Sequence, residues 1–569
     1  MPDGTPRAAA RQPLAGVDRA RPRLHLVPST ADAATHLRGP SLARPVSGLR
    51  REFGLWDTFV FNTLGYALGL VLAMTPFFAG SVFPGRNVLV VLTIGTVLTV
   101  FNGLVYGSLA GAMPRSGGEY VYNSRVLHPA VGFVTNWGLT WSQLLGLAIY
   151  TQWCVTHAVS VALGTMAYAL DRPDLLGLAA WVERPWATFA VATALLGSVV
   201  AAQAAGMRFL RRLLNSFFIL AMAGFVTILV LLVTNDHASF ARAVDDFFWR
   251  TQATPGGYQA VIDAARASGW GTQSASWTGY LIALPLAYWM FIGFTYSVYI
   301  GGEVRDPDRT QRWAILGSLA VGYVLYMAVL GAYYHTVGST FNDAAAYLES
   351  SGRSPLPVSG VVNFFAGLLT RNVVLTLLIG AGFFLWHYLL LFVMFAVVVR
   401  NIFAWGLDEV LPRAVTRVGR RTRTPWVATM VAGATVLGLL ALFCFTTLFT
   451  EVFNYIVLFS IAFWVTSFAA MLLPYRRPDL AASGHPLLAR RVLGVPVLTI
   501  GGLVNLVLFS LILYASFTLP AFSGPTGLRA TVFVAAIYLS AVALYLVVRA
   551  YRRHHRRDLA PLLRHLSRE

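Results

Sequence analysis

Two histidines, His157 and His387, stand inside long apolar runs of this chain and are its first candidates for chemistry. Histidine titrates near physiological pH, and an ionisable group at membrane depth is by default a functional candidate, for proton coupling or substrate contact. The competing reading is a neutral imidazole hydrogen-bonded to a tyrosine or carbonyl of the bundle. A second candidate is a pair of glycine-interrupted stretches, LGYALG at 64–69 and FIGF at 291–294. A helix that unwinds in mid-membrane frees amide and carbonyl groups, which is tolerable only where they line a cavity or meet a ligand. Half-helix N-termini attract a carboxylate, and free carbonyls accept from an ammonium; an α-amino acid carries both groups. The candidate substrate residues are therefore Leu64, Gly65, Tyr66, Ala67 and Gly69 in the first stretch, and Trp289, Ile292, Gly293, Phe294 and Thr295 around the second. Trp289 could cover a substrate or stack on a cation. Glycines also let helices pack closely, but their matched placement in two halves favours a binding site.

Long helices must hold these residues. The chain is 57% hydrophobic and 12% charged, with a mean hydropathy of +0.63, whereas soluble domains carry about 25% charged residues. An all-α integral membrane protein of about twelve spans is expected, since roughly 20 apolar residues cross the hydrocarbon as a helix. The spans fall near 56–80, 88–112, 130–168, 186–206, 211–234, 279–301, 313–336, 371–404, 426–448, 451–473, 493–518 and 528–550. Residues 1–50 read as a disordered tail, 51–550 as the transmembrane domain and 551–569 as a basic tail.

The chain has no lysine, so its 43 basic residues are all arginine, and its net charge is +19. On the twelve-span reading, 18 arginines lie in loops on the side of the tails and nine on the other, with nine more in the N-terminal tail and seven from Arg549 onward. The asymmetry puts both termini in the cytoplasm of a multi-pass cell-membrane protein. The RRHHRR run at 552–557 then suits anionic lipid rather than nucleic acid. Cys154 and Cys444 sit in apolar runs and form neither a disulfide framework nor a metal spacing. No cofactor is expected.

Three polar stretches carry a resemblance. MPRSGGEYVYNSR (113–125) contains Pro114, Arg115, Ser116, Gly117, Gly118, Tyr120 and Tyr122 in a PRSGG.Y.Y pattern. FIGFTYSVYIGGEVRDPDRT (291–310) and RNIFAWGLDEVLPRAVTRVGRRTRTP (400–425) follow in order, all on the same side. Together they resemble the amino acid/polyamine/organocation permeases. The resemblance implies a leucine-transporter-like fold with discontinuous helices 1 and 6, and a 5+5 inverted repeat: repeat one about 56–234, repeat two about 279–473, and peripheral helices about 493–550. It also implies that the 113–125 segment closes an inner gate, with Arg115 pairing Asp57 or Glu303.

Departures narrow the coupling. Thr295 stands where many members have glutamate, no lysine exists for span 5, and no serine or threonine lies between Thr376 and Thr416. Sodium coupling is weakened most; proton symport, exchange and facilitated diffusion stay open. No predicted acid faces the groove, so a neutral amino acid suits it better than a dication. Asn62 and Asn454 are further in-span polar groups. The acid clusters Asp408-Glu409 and Glu303/Asp306/Asp308 belong to the matched stretches, so the chain reads as a transporter and not an enzyme. A polyamine or organic-cation carrier and a non-transporting sensor are the alternatives.

Overall fold

The computed structural model describes residues 49–271, 277–447, 455–481, 490–518 and 527–554. Asn454 and most of both tails lie outside them. Among the described residues, eleven helices are long and apolar enough to cross a membrane, and Gly279–Trp289 is a shorter apolar helix. The expected twelve spans therefore become eleven full ones plus this piece, because the sixth segment stays helical only as far as Trp289. Local chemistry sets several starts. Asn87 caps span 2 (Val88–Ala112), its Oδ1 accepting from the Leu89 and Val90 amides. Asn372 does the same for span 8 (Val373–Leu407), and proline opens the helices at Pro129, Pro185 and Pro307, where its missing N–H has no partner to lose.

Three spans are interrupted. Span 1 is two helices, Leu55–Gly65 and Leu68–Val82, joined through Tyr66 and a left-handed Ala67 at φ 47°. The sixth segment runs from Leu284–Trp289 through turns to the 3-10 stretches Tyr296–Tyr299 and Gly301–Glu303, with Gly293 at φ 108°. Span 3 is helical over Pro129–Trp153 and Ser160–Leu170, with a π-turn at Cys154–Val159 between. The π-turn was not expected; such bulges frequently occur at functional sites.

Span 8 is the central pillar: 89% of its apolar stretch is buried, against 22% for Gly527–His554, which therefore belongs to the rim. At the face where span 1 begins, here the tail face, short backbone ladders tie the interrupted segments together. Glu52 and Phe53 amides donate to the Glu303 carbonyl at 2.8 and 3.0 Å, and Arg305 N donates to Phe53 O at 2.9 Å. Gly117 N donates to Tyr299 O at 3.1 Å beside an antiparallel bridge from Ser116 to Ile300. The polar 113–118 loop is thus sewn onto the end of the sixth segment. At the opposite face the long connections are helical: His237–Gln252 and Gly257–Ala267 after span 5, Ser339–Ser350 and Val362–Leu368 after span 7. Ser339–Ser350 packs on Leu68–Val82, where the resemblance implied a lid-like outer helix.

Candidate functional site

The two breaks meet backbone to backbone. A Cβ on Gly65 would stand 2.5 Å from the Gly293 carbonyl oxygen, and a Cβ on Gly293 would stand 2.2 Å from the Gly65 oxygen. Only glycine allows that approach, and Gly293 also needs its positive φ. One turn beyond, Gly69 leaves room for Trp386 of span 8: its Cβ would lie 2.1 Å from the indole Cδ1. Trp386 is fixed by its Nε1 donating to Ala221 O of span 5 at 3.2 Å.

Side chains satisfy part of the freed backbone. Asn62 Oδ1 accepts from Ser297 N at 2.9 Å, Tyr326 OH donates to Met290 O at 2.9 Å, and Gln311 Nε2 donates to Ser297 O at 2.8 Å. Tyr66 OH donates to Ser318 O, and Tyr296 OH donates to Gln143 Oε1, both at 2.9 Å, binding the breaks to spans 7 and 3. What remains is a set of buried groups without a hydrogen-bond partner around residues 295–297: Asn62 Nδ2, Gln143 Nε2 and the Thr295 hydroxyl. An unpaired buried donor costs about 1–3 kcal/mol. Such donors suit an incoming acceptor such as a carboxylate.

The predicted residues divide by surroundings. Leu64, Gly65, Tyr66, Ala67, Gly69, Ile292, Gly293, Phe294 and Thr295 are all buried at the two breaks. Trp289 is 9% exposed, its ring 5.1 Å from Phe78 of span 1 and its indole beside the Tyr150 hydroxyl of span 3. Phe294 instead turns toward Gly103 of span 2, behind the break. His387 is fully buried; its Nδ1 lies 3.0 Å from Phe383 O, and its Nε2 has no partner. His157 sits in the π-turn, with Nδ1 2.9 Å from Thr156 Oγ1. The π-turn that carries His157 packs on span 8, which carries His387.

At the tail face, Glu303 is held by Arg400 at 2.7 Å and Asp57 by Arg211 at 3.3 Å and Asn215 at 2.7 Å. Sequence reading had assigned neither cation to these acids; it had considered Arg115. The backbone of Arg115 lies against Gly301, whose Cβ would stand 2.8 Å from the Arg115 carbonyl oxygen. A second buried pair joins Arg125 to Asp408 at 2.7 Å. Gln143, Trp386, Arg400 and Arg125 were missed. Gln143, a lone amide in an apolar run, was a visible signal; the pairings were not.

The chain matches the amino acid permease family over residues 53–547 and belongs to it. An uncharacterized transporter of Mycobacterium tuberculosis is 26% identical over 403 residues, 69% of this chain and 74% of that one. The branched-chain amino acid permease BcaP of Bacillus subtilis is 24% identical over 401 residues, 68% and 73% of the two chains. A choline transporter of Saccharomyces cerevisiae is 22% identical over 313 residues, 54% of this chain and 49% of that one. The chain is thus a multi-pass transporter of a family that does not consist of enzymes.

Proposed function

We propose that this protein is a secondary-active permease that moves a neutral amino acid across the cell membrane by alternating access. One observation carries the reading: two helix breaks in contact through Gly65 and Gly293, with Asn62 Nδ2, Gln143 Nε2 and the Thr295 hydroxyl unpaired beside them. The breaks would take the substrate's carboxylate and ammonium, and Trp289 with Phe78 would cover its side chain. The likeness to a branched-chain amino acid permease supports a neutral substrate.

Spans 1–5 and the segments from 279 to 473 then act as the two inverted repeats, with 493–550 peripheral. The arginine excess makes the tail face cytoplasmic, so the loop at 113–125, Arg115, Glu303 and Asp57 belong to the inner closure. Coupling falls to His387 and His157, the histidines inside spans 8 and 3.

A second reading has its own support. Trp289, Phe78 and Tyr150 form an aromatic cluster suited to a quaternary ammonium, and one relative is a choline transporter. Uptake of a labelled panel of amino acids plus choline into liposomes containing the purified protein, with and without an inward proton gradient, separates the readings. Neutral amino-acid uptake supports the first, and choline uptake alone supports the second. Flux of neither, from folded protein, overturns both.

A further inference from the structure

Glu119 opens the short helix Glu119–Val126 that follows the 113–118 loop, outside the spans. It is 0% exposed, and neither carboxylate oxygen has a hydrogen-bond partner. Most buried acids in proteins are paired with a cation or accept several N–H bonds, because an isolated buried charge is very costly. Here the surroundings are phenolic. Tyr299 of the sixth segment and Tyr106 of span 2 offer the nearest hydroxyls, and Tyr122 and Tyr288 complete the ring of titratable neighbours. The hydroxyls of Tyr106, Tyr122 and Tyr299 also lack a partner of good geometry.

Two other elements pack on this helix, span 3 and Tyr455–Arg476. They meet it through Thr135 and Thr466, both partners of Asn123, and contribute no charge to Glu119. The remaining ionic group of the helix, Arg125, is paired with Asp408 at 2.7 Å. Burial, opposed by the Tyr299 hydroxyl, the residue's own amide at the helix start and the Tyr106 hydroxyl, pushes the Glu119 carboxyl up to about 7. The site is also mechanically central. Gly118, at φ 49°, presses its backbone so tightly on the Tyr299 ring that a Cβ would stand 2.8 Å from it.

We propose that Glu119 is a proton-binding site of the tail-face closure, neutral while the loop is packed against Tyr299 and ionised when the loop lifts and water enters. A neutral acid can donate to a tyrosine oxygen and needs no cation. A carboxylate in the same cage would favour the lifted, hydrated loop. The closure then loosens as pH rises through neutrality on that face, which the proposed orientation makes cytoplasmic.

Two measurements on the full-length purified protein test this without knowledge of the substrate, so their failure is separable from failure of the transport reading. The first is the infrared difference spectrum between acid and alkaline pH. A protonated-carboxyl band that titrates near neutrality, disappears in Glu119→Gln and moves to higher pH in Tyr299→Phe is expected. A spectrum unchanged by Glu119→Gln would overturn the proton site. The second is labelling of Ser116→Cys by an impermeant maleimide, with Cys154 and Cys444 replaced by alanine. Divided by the rate in the denatured protein at the same pH, which removes the rise in thiolate fraction, labelling should increase several-fold with pH and stay low when Glu119→Gln is added. The same pH profile with and without that change would overturn the link to the closure.

Discussion

The carbonyl of Gly65 and the α-carbon of Gly293 occupy positions where a single added methyl would come within 2.2 Å of oxygen. The two interrupted segments are therefore one structural unit.

Gly293→Ala tests that unity. The substitution adds a clash with backbone and a side chain at φ 108°, and overpacking of this kind costs about 1–3 kcal/mol. Uptake in the liposome assay should fall at least about tenfold, while Gly331→Ala, whose Cβ meets nothing within 4 Å, should behave as the parent. Normal uptake by Gly293→Ala would mean that the contact is dispensable.

Arg400 and Glu303 are both nearly inaccessible. Removing one partner strands a buried charge, a loss of about 3–5 kcal/mol. Arg400→Ala should therefore lower the melting temperature in detergent clearly more than Arg413→Ala, which removes an exposed arginine from Glu409 and leaves that acid paired with Arg552. Equal shifts would show that the buried pair does not hold the tail face.

Gradient-driven transport should depend on His387. His387→Gln removes the titrating group while keeping polar atoms, so proton-stimulated uptake should be lost and exchange of internal for external substrate retained. Stimulation that survives in both His387→Gln and His157→Gln would place coupling elsewhere.

Stability should also depend on pH through Glu119. Its folded-state pKa of about 7 lies above the ordinary 4.5, so the unfolded chain releases its proton first as pH rises. The contribution is intact below about 4.5 and is lost progressively up to about 7, a decline of about 3 kcal/mol for the packed state. Melting temperatures across that window should fall more in the parent than in Glu119→Gln; parallel curves would assign the decline to other groups.

Periodicity and apolar length made the spans legible, because a helix in hydrocarbon must satisfy its own backbone. The breaks were legible too, through glycines at 65 and 293. The full-length sixth span was not, since residues 290–301 carry no charge after the helix ends and hydropathy cannot distinguish helix from protected coil. Nor was the π-turn around His157, which no residue type announces. Pairings such as Arg400 with Glu303 join positions 97 apart, so only packing reveals them. Glu119 stands in a polar stretch of the sequence, and only packing brings the tyrosines around it.

The arginines that hold Glu303 and Asp408 have a consequence for how the tail face responds. A guanidinium keeps its proton at any physiological pH, so neither clasp can be released by taking a proton from its cation. These joints yield to displacement of the helices that carry them, while acidity speaks to the same face through a separate, uncharged listener.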